Sequence, residues 1–450
     1  CPKCYYTSLC FTMRENFVIT VNALPSPSRY CLALTVSMIT CLTLIINVSF
    51  KLVMLGPYIF TANSIICTLF AGLYLLVLKN CTLDQQRRIL NQCLITLYLY
   101  SMGIYLLVNL PAAEHMQIHI DYQIVFEEIP RKFFSSTVAF ILSFYIPHLY
   151  YFTKKTKENK SKSGNTLMRA LGGGFLFFSL NFLLLFFDPM VKNFGILYLT
   201  SWFVSLLTLF TIALGYFVYL TIDWLKKTKN WKFSRKVDHL TSHSGAIYYS
   251  LASFSVVILL ISLACEYRLV MLMDQWMVSA SGILSPLILL VACLVSELYG
   301  SKACVRLLAI LIISELAFDF TLMATVTMPS PNFLDLNPFF WAVMPRRIPG
   351  TTLTLVIAFL TNIIALEKLK TTVYGMSTAL RFALANIIAN SALCIVNYLI
   401  LFMGVYPYDQ VLHLVITSWV YRFCFVLVCL PFFLLLNNSF KNRVQKFAIF

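Results

Sequence analysis

Glu315 and Asp319 stand four residues apart in an apolar stretch of the chain. A helix there puts both carboxyl groups on one face, where they could carry a proton or bind a cationic or amidine-like edge of a solute. The other reading is that they pair with an arginine and set the packing. Arginines are at hand. Arg346 and Arg347 sit at the mouth of the next apolar stretch, with Asn362 near its other end. Asn390 and Asn397 lie within the following stretch, and Arg422 inside the last. Such groups are costly in lipid, so they face a cavity or one another. Singly the asparagines say little, because amide bonds between membrane helices are ordinary.

The elements that must position these groups are membrane helices. Hydrophobic residues make up 60% of the 450-residue chain and charged ones 12%, with a mean hydropathy of +0.81. That balance excludes an ordinary soluble domain. Apolar segments run near 30–50, 59–78, 89–110, 134–152, 166–187 and 196–222, then near 247–265, 276–299, 304–326, 350–366, 379–404 and 411–437. Each approaches or exceeds the roughly 20 residues that a helix needs to cross the hydrocarbon core, which predicts an all-α integral membrane protein of about twelve spans.

The two sets of spans repeat. Lys51-Leu-Val-Met-Leu55 returns as Arg268-Leu-Val-Met-Leu272 (268 − 51 = 217). Pro130-Arg-Lys132 returns as Pro345-Arg-Arg347 (345 − 130 = 215), and Asn181 returns as Asn397 (397 − 181 = 216). One nearly constant shift predicts two copies of a module of roughly 200 residues. Six spans per copy give both copies the same orientation, a parallel repeat resembling a dimer fused into one chain. The expected layout is an N-terminal segment 1–29, a first module 30–225, a basic linker 226–244, a second module 245–440 and a basic tail 441–450. A duplicated membrane bundle is the usual architecture of a transporter, with its substrate site near the midplane.

The net charge of +16 is localised. Lys154, Lys155, Lys157, Lys160 and Lys162 follow the fourth span; Lys226, Lys227, Lys229, Lys232, Arg235 and Lys236 follow the sixth; Lys441, Arg443 and Lys446 close the chain. The loop with Glu114, Asp121, Glu127 and Glu128 is acidic instead. Positive loops stay inside, which puts both termini in the cytoplasm and reads the basic residues as a solvated, lipid-facing rim rather than a nucleic-acid surface. Enzymatic function finds no support. There is no G-x-x-x-x-G-K-[ST] loop for ATP, and the six histidines are scattered. Most of the fourteen cysteines fall within apolar spans, where cysteine behaves as a small hydrophobe. The pair Cys1 and Cys4 lacks the second pair that a zinc knuckle requires. No metal or cofactor is expected.

The second half resembles the queuosine-precursor transporter (VUT) family. The resemblance begins at Arg268-Leu-Val-Met271 and runs through Ser281-Gly-Ile-Leu-Ser-Pro-Leu287 into Ser296-Glu-Leu-Tyr-Gly300. It continues from Arg346 through Asn362 to Lys370, and ends with Tyr421-Arg422-Phe423 and Leu430-Pro431. In the first half Asn47, Lys51 and Arg131 fit, but the Pro and the Glu-x-Tyr-Gly do not. The resemblance implies six-helix modules related in shape to vitamin-binding S-components and paired as a dimer. It implies uptake of 7-deazaguanine precursors of queuosine, or queuine, through a bacterial inner membrane. It also marks Arg346, Asn362, Asn390, Arg422 and Glu297 as substrate-binding; Glu315 and Asp319 are proton-coupling candidates by their position alone. Partners would be the solute and membrane lipids. Two departures stand out: Cys293 and Asn362 replace aspartates typical of the family, and each removes a charge. The first half lacks comparable membrane acids, so one competent pocket is expected, in the second half. Rival readings are a transporter of another vitamin or nucleobase, or a non-transporting scaffold with a dry interior. The charge pattern predicts that Lys157 and Lys229 report from the same side of the membrane. A cysteine-accessibility map that puts them on opposite sides excludes this arrangement.

Overall fold

The computed structural model describes residues 29–112, 128–155, 164–186, 194–228, 243–266, 268–272, 276–331, 337–372, 375–404 and 406–448. Cys1, Cys4, Glu114, Asp121, Glu127, Lys157 and the linker around Lys232 lie outside them.

Each half has the same order of elements. The first comprises α1 (Arg29–Asn47), a hairpin of β1 (Leu52–Leu55) and β2 (Tyr58–Thr61), α2 (Asn63–Asn80), α3 (Leu83–Val108), α4, α5 (Gly164–Phe186) and α6 (Phe194–Thr228). Helix α4 covers 129–155 and contains a π-helical turn, Ile141–Tyr145. The second comprises α7 (His243–Ala264), a hairpin of β3 (Leu269–Leu272) and β4 (Trp276–Ser279), α8 (Ala280–Tyr299), α9 (Ser301–Val326), α10 (Asn337–Thr372), α11 (Thr378–Phe402) and α12 (Tyr408–Ala448). Twelve stretches, one on each helix, are long and apolar enough to cross a membrane. The chain is a multi-pass, all-α membrane protein.

Four boundaries differ from the sequence expectation. The spans drawn from 59 and 276 open as strands, because Leu-Val-Met-Leu and its partner are short apolar runs on either side of a turn. Gly56 supplies that turn with a φ of +59° between Leu55 and Tyr58, as a two-residue hairpin loop requires. Helix α10 starts well before residue 350 and runs through Pro345 and Pro349. The tail 441–450 is helical as far as Ala448.

The hairpins fasten the halves to each other. Lys51 extends its ammonium to the Val326 carbonyl at the end of α9 (2.8 Å) and to Ser330 Oγ. Arg268 extends its guanidinium to the Val108 carbonyl at the end of α3 and to Leu110 O (3.1 Å). Backbone bonds repeat the exchange: Met54 N–H donates to Pro329 O (2.8 Å), and Met271 N–H to Pro111 O (2.9 Å). Both hairpins are also clamped within their own half. Thr200 of α6 donates its hydroxyl to Ile59 O, and Thr417 of α12 donates to Met277 O (2.6 Å). Irregular backbone at membrane depth must find such partners inside the protein.

The interface follows the same pairing. Helix α1 packs on α7 and α9, and α3 packs on α7. Thr35 of α1 and Tyr249 of α7 join hydroxyls across the contact. The central position of α1 and α7 shows in their burial: 78% of each apolar window is covered, against 11% for α6 and 17% for α12, which leaves those two to face lipid. Within the first half, Gly174 of α5 lets α5 close on α2; a Cβ there would lie 2.3 Å from Ala71 Cβ. Lys51→Met and Arg268→Met should each lower stability in detergent by about 1.5–3 kcal/mol, the value of hydrogen bonds to a charged group. Thermal unfolding checks this, and unchanged midpoints for both would remove the latch from the account.

Candidate functional site

A cavity of about 50 Å³ lies among α7, α8, α10, α11 and α12 of the second half. Its walls are mainly apolar: Leu259, Leu263, Ile288, Leu355, Phe359 and Leu393. Polar groups enter at a few points, namely Ser262, Glu266, Ser281, Ser285, Thr351, Thr354, Asn397 and Arg422. Few polar groups on an apolar wall is the composition of a small-molecule site.

Arg422 is the unusual member. It is only 1% exposed. Its Nη2 donates to the Tyr398 hydroxyl at 3.3 Å, and its guanidinium carbon lies 5.6 Å from the centre of that ring. Its Nε and Nη1 have no hydrogen-bond partner. An unmet guanidinium N–H in an apolar interior is expensive, so the site is built to meet an acceptor. Gly282 makes the room: a Cβ there would stand 2.7 Å from the Tyr398 hydroxyl and 3.4 Å from Arg422 Nη2.

Beside the cavity lies a buried ionic cluster. Arg347 of α10 pairs with Asp319 of α9 and stands 3.7 Å from Glu266 Oε2. Glu266 follows the end of α7 and also accepts from Thr351 Oγ1 at 3.4 Å. Glu315, one turn before Asp319, accepts from Thr352 Oγ1 at 3.0 Å. Glu266, Glu315 and Asp319 are buried, and so is Arg347. Two carboxyl groups, those of Asp319 and Glu266, therefore share one guanidinium, with Glu315 one turn away on α9. Burial pushes the Glu266 carboxyl up to about 7, against the pull of Arg347. A titratable group thus stands at the cavity wall in the neutral range.

The five predicted substrate-binding residues occupy different places. Arg422 lines the cavity. Asn362 and Asn390 are buried deeper along α10 and α11. Asn362 Nδ2 donates to Leu289 O (3.3 Å), and Asn390 Nδ2 donates to Asn386 O (2.9 Å), leaving its Oδ1 without a partner. Glu297 sits at the far end of α8, paired with Lys370 at 2.6 Å and Arg381 at 3.6 Å. Arg346 is exposed and donates to Met403 O at 3.1 Å. Glu315 and Asp319 do share one buried helix face, and their arginine is Arg347. The two positions where the family resemblance implies aspartates touch each other: the Cys293 thiol donates to Asn362 Oδ1 at 3.1 Å, and Asn386 Nδ2 donates to Cys293 Sγ at 3.1 Å. Both charges are absent from one contact, and a neutral thiol–amide chain stands in their place.

Sequence reading overlooked Glu266, Tyr398 and Ser281. The signal for Glu266 was a lone acid two residues before Arg268, between an apolar span and a hairpin. Tyr398 follows Asn397 directly.

The matching positions of the first half are filled. Ile288, Leu355, Phe359 and Leu393 answer to Phe70, Phe140, Phe144 and Phe177 (288 − 70 = 218; 355 − 140 = 215; 359 − 144 = 215; 393 − 177 = 216). These four phenylalanines are fully buried and pack ring to ring, with Phe70 centred 5.0 Å from Phe144, 5.7 Å from Phe177 and 6.0 Å from Phe140. Asn181 bonds Ser136 Oγ at 3.0 Å and Asn63 Nδ2 at 3.3 Å, whereas Asn397 Oδ1 in the second half has no partner. Arg347 answers to Lys132 (347 − 132 = 215), whose ammonium lies 4.8 Å from the Phe50 ring centre. Glu266, Asp319 and Arg422 answer to Ser49, Ser101 and Ser205 (266 − 49 = 217; 319 − 101 = 218; 422 − 205 = 217).

Residues 279–436 match the model of a family described as "Putative vitamin uptake transporter". That stretch is less than half of the chain, and it contains most of the cavity lining. Comparison with curated proteins found no match, and neither did comparison with solved structures.

The ionic cluster carries its own test. Arg347→Met leaves buried carboxylates uncompensated and should cost about 3–5 kcal/mol, while Arg347→Met combined with Asp319→Asn should recover much of that loss. Thermal unfolding of both variants in detergent decides it. Equal losses for the single and double variants would show that the pair is not the operative contact.

Proposed function

We propose that this protein imports a small planar heterocycle across a bacterial inner membrane, a 7-deazaguanine precursor of queuosine or queuine, with both termini in the cytoplasm. The observation that carries the proposal is the buried guanidinium of Arg422, a residue lining a cavity set mostly in the family-matched stretch, whose Nε and Nη1 have no hydrogen-bond partner among the described residues. Arg422 would meet an acceptor edge of the solute. Glu266, Ser281 and Asn397 would meet its N–H edge, and Phe359 and the leucines its flat body. A scaffold protein has no use for unmet donors on a cavity, which weighs against that reading.

A space of about 50 Å³ admits a few water molecules. The described conformation is therefore a closed one, and a heterocycle enters only when helices around the cavity part. The cluster of Arg347, Asp319 and Glu266 lies toward the hairpin side. The pairs of Glu297 with Lys370 and Arg381 close the opposite end. Between them α11 presents Asn397, Asn390 and Asn386, each with an unpartnered Oδ1. We read this as a polar track with an ionic gate at each end.

The same reading makes the chain a tandem duplication in which only the second copy transports. Supporting it are the reciprocal hairpin bonds, the shared order of elements, and Thr200-Ser201-Trp202 returning as Thr417-Ser418-Trp419. The first copy keeps the latch, and the phenylalanine cluster stands at the positions that answer to the cavity wall.

Uptake of labelled 7-deazaguanine into a salvage-dependent strain, against a panel of vitamins and purines, tests the substrate. Accumulation of a vitamin instead would retain the transporter and replace the solute. Glu315→Gln and Asp319→Asn should weaken uptake driven by a pH gradient and leave equilibrium binding intact. Arg422→Gln or Asn362→Ala should raise the Kd about tenfold or more, as expected for loss of a hydrogen bond to a charged or buried group. If both acid variants transport normally across the pH range, the acids are structural.

A further inference from the structure

A second, larger space lies outside the transport site. A groove of about 820 Å³ runs between α7, α8 and α12 of the second half and the start of α3 from the first. One face of α12 forms its floor through Phe425, Cys429, Phe432, Phe433, Leu436 and Phe440. Steps of three and four residues keep these side chains in one helical stripe. From Phe425 to Phe440 the stripe rises about 22 Å. The other walls give a consistent depth. Phe254 lies eleven residues into α7, about 16 Å down, and Leu287 lies twelve residues from the end of α8, about 18 Å down. Half of a bilayer's hydrocarbon core is roughly 15 Å, so the groove is as deep as one leaflet.

Only the shallow end carries a charge. Arg88, in the second turn of α3, reaches the groove beside Ala246 at the start of α7 and Phe440 near the end of α12. Its side chain is exposed and makes no hydrogen bond or ion pair with any described residue. This end lies on the side of the molecule where α6 and α12 finish in basic sequence. An apolar trough one leaflet deep, whose one charged lining residue among those described is an arginine at its rim, matches a molecule with a long hydrocarbon tail and an anionic head.

We propose that the groove is a binding site for an anionic phospholipid of the leaflet on the basic side, its acyl chain along α12 and its phosphate on Arg88. Because the groove joins α3 of one half to α7 and α12 of the other, the lipid acts as a removable wedge between the halves. Nothing in the transport proposal requires it, and it stands if that proposal fails.

The full-length protein in detergent, titrated with dioleoyl-phosphatidylglycerol or dioleoyl-phosphatidylcholine and read by native mass spectrometry, tests this. The wild type should retain one phosphatidylglycerol with about fivefold preference over phosphatidylcholine, the contribution of one basic residue at a membrane surface. Arg88→Gln should abolish that preference. Arg306→Gln, at the matching position of the second half (306 − 88 = 218), should leave it unchanged. A phosphatidylglycerol bearing a diazirine in its acyl chain should label the peptides containing Phe254 and Phe425. Equal retention of both lipids, equal effects of the two arginine variants, or labelling confined to α6 would each overturn the proposal. So would labelling that rises when residues 1–28 are deleted, because the chain's own N-terminal segment would then be the occupant.

Discussion

Backbone that leaves a helix at membrane depth has no water to bond, and the whole arrangement depends on how this chain meets that constraint. Each half breaks its helical run with a short hairpin. Each hairpin keeps its inner bonds through strand pairing and sends one edge to the other half. A lysine and an arginine reinforce the exchange by capping the carbonyls at the ends of α9 and α3, where the helix dipole favours a cation. Neither half can satisfy its hairpin alone. The interface of α1, α3, α7 and α9 follows from that mutual need as much as from apolar burial.

The second half adds a smaller version of the same problem. Arg347 and its three carboxylic neighbours are buried beside a hairpin, and each takes its bonds from a different helix or connection. The cluster thereby ties the end of α7 to α9 and α10 around one wall of the cavity. Arg422 differs because two of its donors stay open. Packing explains the first arginine; only a missing partner explains the second.

Much of the architecture was legible in the sequence. Segment length and hydropathy place twelve spans, since bilayer thickness is a fixed ruler. The shift near 217 residues located matching elements before any contact was known. The hairpins were absorbed into spans because four-residue strands of Leu, Val and Met carry the same hydropathy as the helices beside them. The acid pair on α9 was readable from its four-residue spacing. Its partner was not: Arg346 and Arg347 look alike in sequence, yet the first is exposed and the second buried, because neighbours on a helix point about 100° apart. Glu266 was missed for a related reason. It sits past the end of a helix, where periodicity gives no face. Glu297 is marked in the sequence only by the family resemblance, and its pairing with Lys370 and Arg381 at the last turn of α8 leaves no local sequence pattern.

The phenylalanine cluster of α2, α4 and α5 has a consequence for how this molecule can change over time. Two identical subunits are copies of a single gene, so any residue that alters one alters the other. Here the corresponding positions are written separately, and all four carry rings in the first half, whereas the second has Ile288, Leu355, Leu393 and one ring, Phe359. Connection in one polypeptide also fixes the ratio of the two at unity without any need to find a mate in the bilayer. Substitutions that tighten the packing of one half can then be kept without any change in the other.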